Sequence, residues 1–423
     1  MSHINLRDHV GVPLDRPVRL AFAGAGARGA AYASLAEEAG AAVVAVAEPR
    51  PPARERFAVR HARAETFADW RDLAARPRLA DAVVIANMDD GHREAAEAFA
   101  ALGYDILLEK PIATSEEDVI AIGDAARKAD VTLAVCHVMR YTRYTTELMK
   151  ALSDIGEIVS VEHLEPIGYY HFAHSYVRGN WRRTDLTSSA LLTKCCHDID
   201  WLGYVIGRPV HRVSSFGSLS YFRPENRPID AADRCVDCPL QDTCAYSATR
   251  MYRDGLRNGG TRQYFTRIMA GELTEEAVTT ALREGPYGRC VWASDNDAVD
   301  HQIVNLEYTG GVTVAFTMTA FTPVEHRHTK IFGTKGQLTG DGRFIHTYEF
   351  LTERTTTIDT SLDGSSAAEG HAGGDEALIR SFVTALHDGH PDLIRSGIDD
   401  SVDGHRVVFA AERARREGTV VTL

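Results

Sequence analysis

Three glycines define the first chemistry this chain can do. Gly24, Gly26 and Gly29 stand in G-x-G-x-x-G spacing at the end of Val18-Arg-Leu-Ala-Phe-Ala-Gly-Ala-Gly-Ala-Arg-Gly29. The first glycine permits a tight turn, and the second lets backbone approach a pyrophosphate. The third lets a helix pack against a strand. Ala27 and Arg28 fill the turn, where a helix would point its positive end at phosphate oxygens. Glu48 follows Gly26 by about 20 residues, the spacing of the carboxylate that binds ribose hydroxyls in such sites. These residues together call for a dinucleotide, and Glu48 favours NAD. Arg50 is either a solvated side chain or a partner for the extra phosphate of NADP.

The elements that must position these residues follow from the pattern. Leu20–Ala23 and Ala42–Ala47 are short apolar runs and read as buried strands. A helix from Ala30 to about Ala39 lies between them, and prolines open another over Pro49–Val59. Asp81–Ala86 is the next strand, and it runs into the turn-rich Asn87-Met-Asp-Asp-Gly-His92. A helix over Arg93–Leu102 ends at Gly103, and the next strand ends in Glu109-Lys110-Pro111. Val131–Cys136 closes the alternation, which implies a mostly parallel sheet over residues 17–137. Residues 1–16 are a polar arm. Ligands bind at the carboxyl ends of strands in such sheets. That edge carries Asn87, His92, Glu109 and Lys110, and proline biases Lys110 to an extended conformation.

After residue 137 the alternation stops. Glu157–His163, Val210–Tyr221 and a hairpin over 301–320, turning at Thr309-Gly310-Gly311, read as strands of an α+β domain over 138–423. Leu192–Trp201 reads as helix, with Thr193 and His197 one turn apart and Lys194 paired with Asp198 at i,i+4. Taken alone, His197 is a core histidine. Gly168–Arg182 is rich in aromatics and hydrogen-bonding groups, including Tyr170, His171, His174 and Trp181. Such a mixture suits sugar binding or plain packing. Arg140 and Tyr141, just past the first domain, are further pocket candidates.

Residues 223–300 form a polar insertion with Cys235, Cys238 and Cys244 in C-x2-C-x5-C spacing and Cys290 beyond them. Four thiolates can hold a tetrahedral zinc, which would staple so polar a loop. Free thiols, a disulfide and an iron–sulfur cluster are the alternatives. Cys136, Cys195 and Cys196 read as packing residues.

Several of these motifs resemble one family. The glycine turn, Glu109-Lys110-Pro-Ile and His137-Val-Met-Arg-Tyr are similar to the Gfo/Idh/MocA sugar dehydrogenases, relatives of glucose-fructose oxidoreductase and inositol dehydrogenase. The resemblance implies a Rossmann domain, NAD or NADP, and a second domain on an open, mainly antiparallel sheet that mediates homo-oligomers. It gives Lys110 contact with nicotinamide ribose and substrate, and His197 the acid/base role. Thr193 stands where the family has an aspartate, and Lys194 offers a substitute polar group. The implied reaction moves a hydride from a secondary hydroxyl of a sugar, inositol or glycoside. Its proton goes to a base drawn from His197, Lys110 and Lys194. An NAD-dependent glycoside-cleaving enzyme and a nucleotide-binding sensor without catalysis are the other readings.

Composition narrows the partners. A net charge of −13 argues against nucleic acid. No run of 18 apolar residues predicts a membrane helix, and the N-terminus lacks a signal-peptide pattern. The expected location is the cytoplasm, where cysteines stay thiols or bind metal.

Overall fold

The computed structural model describes residues 14–361 and 373–423. In chain order its first elements are β1 (Arg19–Ala23), α1 (Ala27–Glu38), β2 (Ala42–Ala47), α2 (Pro51–Arg60), β3 (Glu65–Phe67), α3 (Trp70–Ala74) and β4 (Ala82–Ile85). Then come α4 (His92–Ala101), β5 (Asp105–Leu108), α5 (Glu116–Ala129), β6 (Leu133–Val135), α6 (Arg143–Ile155) and β7 (Ile158–Pro166). A short α7 (Tyr169–Phe172) runs into a π-helical turn over Ala173–Arg178. Next are α8 (Ala190–Ile206), β8 (Val210–Ser218), α9 (Ala248–Asn258), α10 (Gly260–Ala270) and α11 (Glu275–Glu284). The remainder is β9 (His301–Tyr308), β10 (Thr313–Thr319), β11 (His328–Gly333), β12 (Gly336–Gly340), β13 (Phe344–Glu349), β14 (Thr355–Asp359), α12 (Gly374–Asp388), α13 (Ile398–Glu417) and β15 (Val421–Thr422).

The chain divides into two compact units. The first holds residues 14–145, 199–201 and 373–406 among those described, and the second holds the rest. Residues 373–406 thus return to the first unit, which a boundary at 137 does not anticipate. The first unit's sheet has the order β3-β2-β1-β4-β5-β6 with parallel pairing throughout. That is the Rossmann order. β1, β4, β5 and β6 are buried on both faces, which is why they read as continuous apolar runs. Leu20, Phe22, Val43 and Val46 pack with Tyr32 of α1 and with Leu378 and Phe382 of α12.

The second unit's sheet has the order β14-β13-β12-β11-β7-β10-β9-β8-β15. β10 pairs parallel with β7, and the other pairs are antiparallel. The 301–320 hairpin forms as expected. Gly310 and Gly311 both take a φ of 86° in its turn, and Val312, Val314, Phe316 and Met318 face inward.

Two expectations change. The insertion is not a polar loop in need of a staple. Ala248, Met251 and Tyr252 line one face of α9 and pack with Phe265, Met269, Val278 and Leu282 in a core of their own. By its place before Glu376–His387, Asp375 reads as a helix cap, but it does not cap that helix. Gly373 is the N-cap of α12, and Asp375 lies inside the first turn. Most of residues 364–374, which read as a Gly/Ser/Ala-rich surface loop, and most of the 1–16 arm fall outside the described residues.

The turn between β1 and α1 is closely packed. A Cβ on Gly29 would sit 2.2 Å from the Gly24 carbonyl oxygen, whereas one on Gly203 of α8 meets nothing within 4 Å. Gly29→Ala should therefore destabilise by about 1–3 kcal/mol. Gly203→Ala should stabilise by about 0.5–1 kcal/mol, because alanine favours helix. Urea midpoints of the two variants read both effects.

Candidate active site

In the first unit the glycine turn leaves a cradle. Gly24 (φ 111°) brings its backbone so near β4 that a Cβ would lie 2.4 Å from the Ala86 carbonyl oxygen. Gly26 differs. Its nearest neighbour to an added Cβ is Arg50 Nη2 at 3.6 Å, so the chain itself does not demand glycine there. What needs that space is a ligand. Gly26 is also the N-cap of α1, where no side chain caps the helix and no acidic residue sits in the first turn. The N–H groups of Ala27 and Arg28 are left for an anion. Asn87 Oδ1 is buried beside this turn without a hydrogen-bond partner among the described residues. These features fit a dinucleotide, with the pyrophosphate on the α1 N-terminus.

Glu48 is buried at the end of β2. Its Oε2 accepts from the Ala25 backbone N–H at 2.8 Å, and its Oε1 from Arg50 Nε at 2.7 Å. Burial alone would raise its carboxyl pKa. The hydrogen bonds from Arg50 and from the Ala25 and Arg50 backbone instead bring it below the usual range. Arg50 is thus engaged with the Glu48 carboxylate, rather than simply solvated.

Glu109 and Lys110 follow β5. Glu109 Oε1 accepts from Arg28 Nε at 2.7 Å and from the Tyr32 hydroxyl at 2.8 Å. Its Oε2 accepts from the Lys110 backbone N–H at 2.8 Å. Burial pushes this carboxyl up, but the charges of Arg28 and Lys110 prevail and hold it low. Arg28 also pairs with Asp375. The Arg28 side chain, expected at the cofactor, therefore ties α1 to the Lys110-bearing strand end and to α12. His92, also expected at the cofactor, supports the same segment. Its Nδ1 donates to the Pro111 carbonyl at 2.9 Å. From the other side, the Ile112 N–H donates to His405 Nε2 at 3.0 Å. The Lys110–Pro111 peptide is cis.

Arg140 and Tyr141 are not presented to a substrate. Arg140 is buried and makes a two-toothed contact with Asp200, at 2.8 and 2.7 Å. The Tyr141 hydroxyl accepts from the backbone N–H groups of Arg395 and Ser396 and shares a hydrogen bond with Ser396 Oγ. Both side chains fasten the 395–400 segment to the first unit.

In the second unit the expected Lys194–Asp198 pair is replaced by a wider network. Lys194 Nζ lies 3.3 Å from Glu165 Oε1, and Arg327 Nε lies 2.9 Å from Glu165 Oε2. Arg327 also binds Asp198, whose Oδ1 lies 3.1 Å from His163 Nε2. Asp198 is fully buried. Burial would raise its carboxyl pKa, but the Arg327 charge and the His163 hydrogen bond hold it far below the usual range. His163, Glu165 and Arg327 had escaped the sequence reading. The i,i+2 spacing of His163 and Glu165 on one face of β7 was the available signal. Thr193 and His197 are both buried on α8, and the Thr193 hydroxyl donates to the Ser189 carbonyl.

The aromatic segment faces the insertion. His174 is buried, with Nδ1 2.8 Å from the Tyr252 hydroxyl and its ring stacked on Tyr287. Burial pushes its pKa down to about 3. Tyr170 and His171 pack on Phe265, and Trp181 on Tyr176. The structure thus gives all four packing partners. A single zinc at Cys235, Cys238, Cys244 and Cys290 is not supported either. The four cysteines line one cavity. Yet among the described residues no group of three or more Cys, His, Asp or Glu is placed to hold one metal ion.

Comparison with known proteins agrees with this architecture. The Gfo/Idh/MocA model for the oxidoreductase family's NAD-binding Rossmann fold matches residues 18–137. The model for the family's C-terminal alpha/beta domain matches residues 150–423. The chain is 24% identical over 334 residues, 74% of each protein, to YteT of Bacillus subtilis, which bears an oxidoreductase name. It is 31% identical over 131 residues to inositol 2-dehydrogenase 2 of Saccharopolyspora erythraea, 31% of this chain and 36% of that one. A levoglucosan dehydrogenase solved with NADH and levoglucosan shares the fold, with a TM-score of 0.70 at 17% identity over 96% of this chain and 99% of that one. The site and fold are those of an NAD(P)-dependent dehydrogenase. This chain belongs to the Gfo/Idh/MocA oxidoreductase family.

Two outcomes are expected. Removing the Arg50 guanidinium in Arg50→Ala should weaken NADP binding more than NAD binding, and Glu48→Gln should weaken NAD binding by roughly tenfold or more, a loss of about 1.5 kcal/mol or more. Titration calorimetry with each coenzyme measures both. His405 is buried, and burial pushes its pKa down to about 3. The unfolded imidazole titrates near 6.5. Its stabilisation is complete above pH 6.5 and fades as pH falls toward 3. The urea midpoint should drop across that window, and drop less steeply in His405→Gln.

Proposed function

We propose that this enzyme oxidises, and in reverse reduces, a secondary hydroxyl of a sugar, inositol or glycoside. NAD is the expected carrier, and NADP is the alternative. The observation that carries the reading is the braced strand end. Arg28, Tyr32, His92 and His405 hold Glu109-Lys110-Pro111-Ile112 from several sides at the glycine turn's edge of the sheet. The inositol dehydrogenase relative and the levoglucosan dehydrogenase neighbour support the substrate class.

When bound, the coenzyme supplies hydride acceptance and donation. Gly26, Ala27 and Arg28 would hold its pyrophosphate through backbone N–H groups, and Glu48 its ribose hydroxyls. Lys110 Nζ donates a hydrogen bond to the substrate oxygen and stabilises alkoxide character there. The family resemblance assigns the proton-accepting role to the His197 imidazole of the second unit. Lys194, anchored by Glu165, adds positive potential on the same helix one turn before His197. A cytoplasmic homo-oligomer is part of this reading. The oligomer is supported by the exposed apolar pair Phe216 and Ile303, register partners on β8 and β9.

The test is a panel of sugars, polyols and glycosides incubated with NAD or NADP. Net NADH or NADPH growth with at least one of them is expected. Released sugar without net coenzyme reduction would favour a cleavage by transient oxidation. Lys110→Ala and His197→Ala should each lower kcat by about 10²–10⁴-fold, with coenzyme affinity changed far less. Unchanged rates in both variants would contradict the assigned roles.

A further inference from the structure

The 223–300 insertion encloses space that the dehydrogenase chemistry does not use. Within the second unit, a cavity of about 380 Å³ is walled by Tyr221, Tyr246 and Trp292, by the insertion's cysteines and by Arg178. None of its wall residues belongs to the network of Lys194, Glu165 and Arg327. Ligand pockets run from about 300 to 1,000 Å³, so an occupant of this one is small. Two wall residues, Thr243 and Ala245, are exposed and leave a way in from solvent.

Arg178 is the only charged residue in the cavity wall, and it is 1% exposed. It ends the π-helical turn over Ala173–Arg178, a backbone form that recurs at functional sites. Its Nε donates to the Arg289 carbonyl at 2.7 Å and its Nη2 to the Tyr246 carbonyl at 2.8 Å. Nη2 also lies 3.6 Å from Cys235 Sγ. None of these partners is a carboxylate, and Nη1 has no partner among the described residues. A buried cation without an anion is costly. Other acids of the wall do not supply one. Burial pushes the Cys244 and Cys290 thiols up, and the Tyr246 phenol up to about 12, so these groups stay protonated at neutral pH.

A second donor of the same wall is in the same state. Trp292 Nε1 is buried without a partner among the described residues. A guanidinium N–H and an indole N–H match the two oxygens of one carboxylate. One guanidinium also balances a single negative charge. A phosphate dianion would bring a second charge that no other cation of the wall meets. The rings define the rest of the ligand. Tyr221, Tyr246 and Trp292 stand 5.7–6.1 Å apart, centroid to centroid, at angles of 47–83°. Such tilted faces and edges receive a further ring in the arrangements aromatic pairs prefer. We propose that this cavity binds a small aromatic monocarboxylate, with Arg178 and Trp292 on its carboxylate and Tyr221 and Tyr246 against its ring.

Titration calorimetry of the full-length protein with saturating NAD tests this. The probes are benzoate, 4-hydroxybenzoate and phenylacetate, with benzyl alcohol and inorganic phosphate as controls. At least one of the three acids should bind with a Kd of about 1 mM or tighter. Both controls should bind about tenfold or more weakly than that acid. Arg178→Met keeps an apolar stem without the charge and should weaken the acid by about tenfold or more. Trp292→Phe keeps a ring without the N–H donor and should weaken it severalfold. Retained NAD binding shows that each variant is folded. Should Arg178→Met fail to fold, a crystal structure of the wild type with benzoate decides. Benzoate in this cavity with its carboxylate on Arg178 supports the proposal, and benzoate elsewhere or absent overturns it. No binding by any of the acids, benzyl alcohol bound as tightly as the acid, phosphate bound more tightly, or affinities unchanged in both variants also overturns it.

Discussion

The ion pair between Arg28 and Glu109 is the contact that holds the first unit's glycine turn to the end of β5. Arg28 stands in the first turn of α1, beside the glycine cradle, and Glu109 stands immediately before Lys110. One guanidinium therefore joins the N-terminal end of α1 to the end of β5 that carries Lys110. Glu109 is buried, so its charge is tolerable only because Arg28, Tyr32 and the Lys110 N–H satisfy it. Removing Arg28 would leave a buried carboxylate facing a dismantled turn. Asp375 extends the brace to α12 and brings a segment far along the chain into the same unit.

The second unit solves a comparable problem with a different network. Glu165 and Asp198 share Arg327, and Lys194 and His163 complete the set. Buried carboxylates are matched by half-buried cations, so each side chain's position is constrained by the others. Breaking one member strands its partner, which makes such networks rigid. The network fixes the middle of α8, and the Ser189 cap holds its start.

Much of the first unit was legible because its constraints are local. Gly24 and Gly29 are spaced by the collision that any Cβ would cause with nearby backbone. The strands announced themselves as apolar runs because both faces of a parallel sheet are covered. Side-chain partners were not legible. Arg140 and Tyr141 looked like pocket residues, but Asp200 and Ser396 claim them, 60 and 255 positions away. Asp198 looked like the mate of Lys194, while its actual partner lies on the far side of three strands, at Arg327. The insertion read as polar because only one stripe of each short helix is apolar. Ala248, Met251, Tyr252 and Gly255 are buried at helical spacing, and that period was the missed sign.

The central claim is that this brace sets the Lys110 amine beside a coenzyme lying on the glycine turn. A crystal structure of the protein with NAD tests it most directly. The account predicts the pyrophosphate on the N–H groups that open α1, the adenosine ribose at Glu48, and the Lys110 amine within hydrogen-bond reach of the nicotinamide ribose. A coenzyme bound away from the glycine turn, or a Lys110 amine directed elsewhere with the Arg28–Glu109 pair intact, would contradict it.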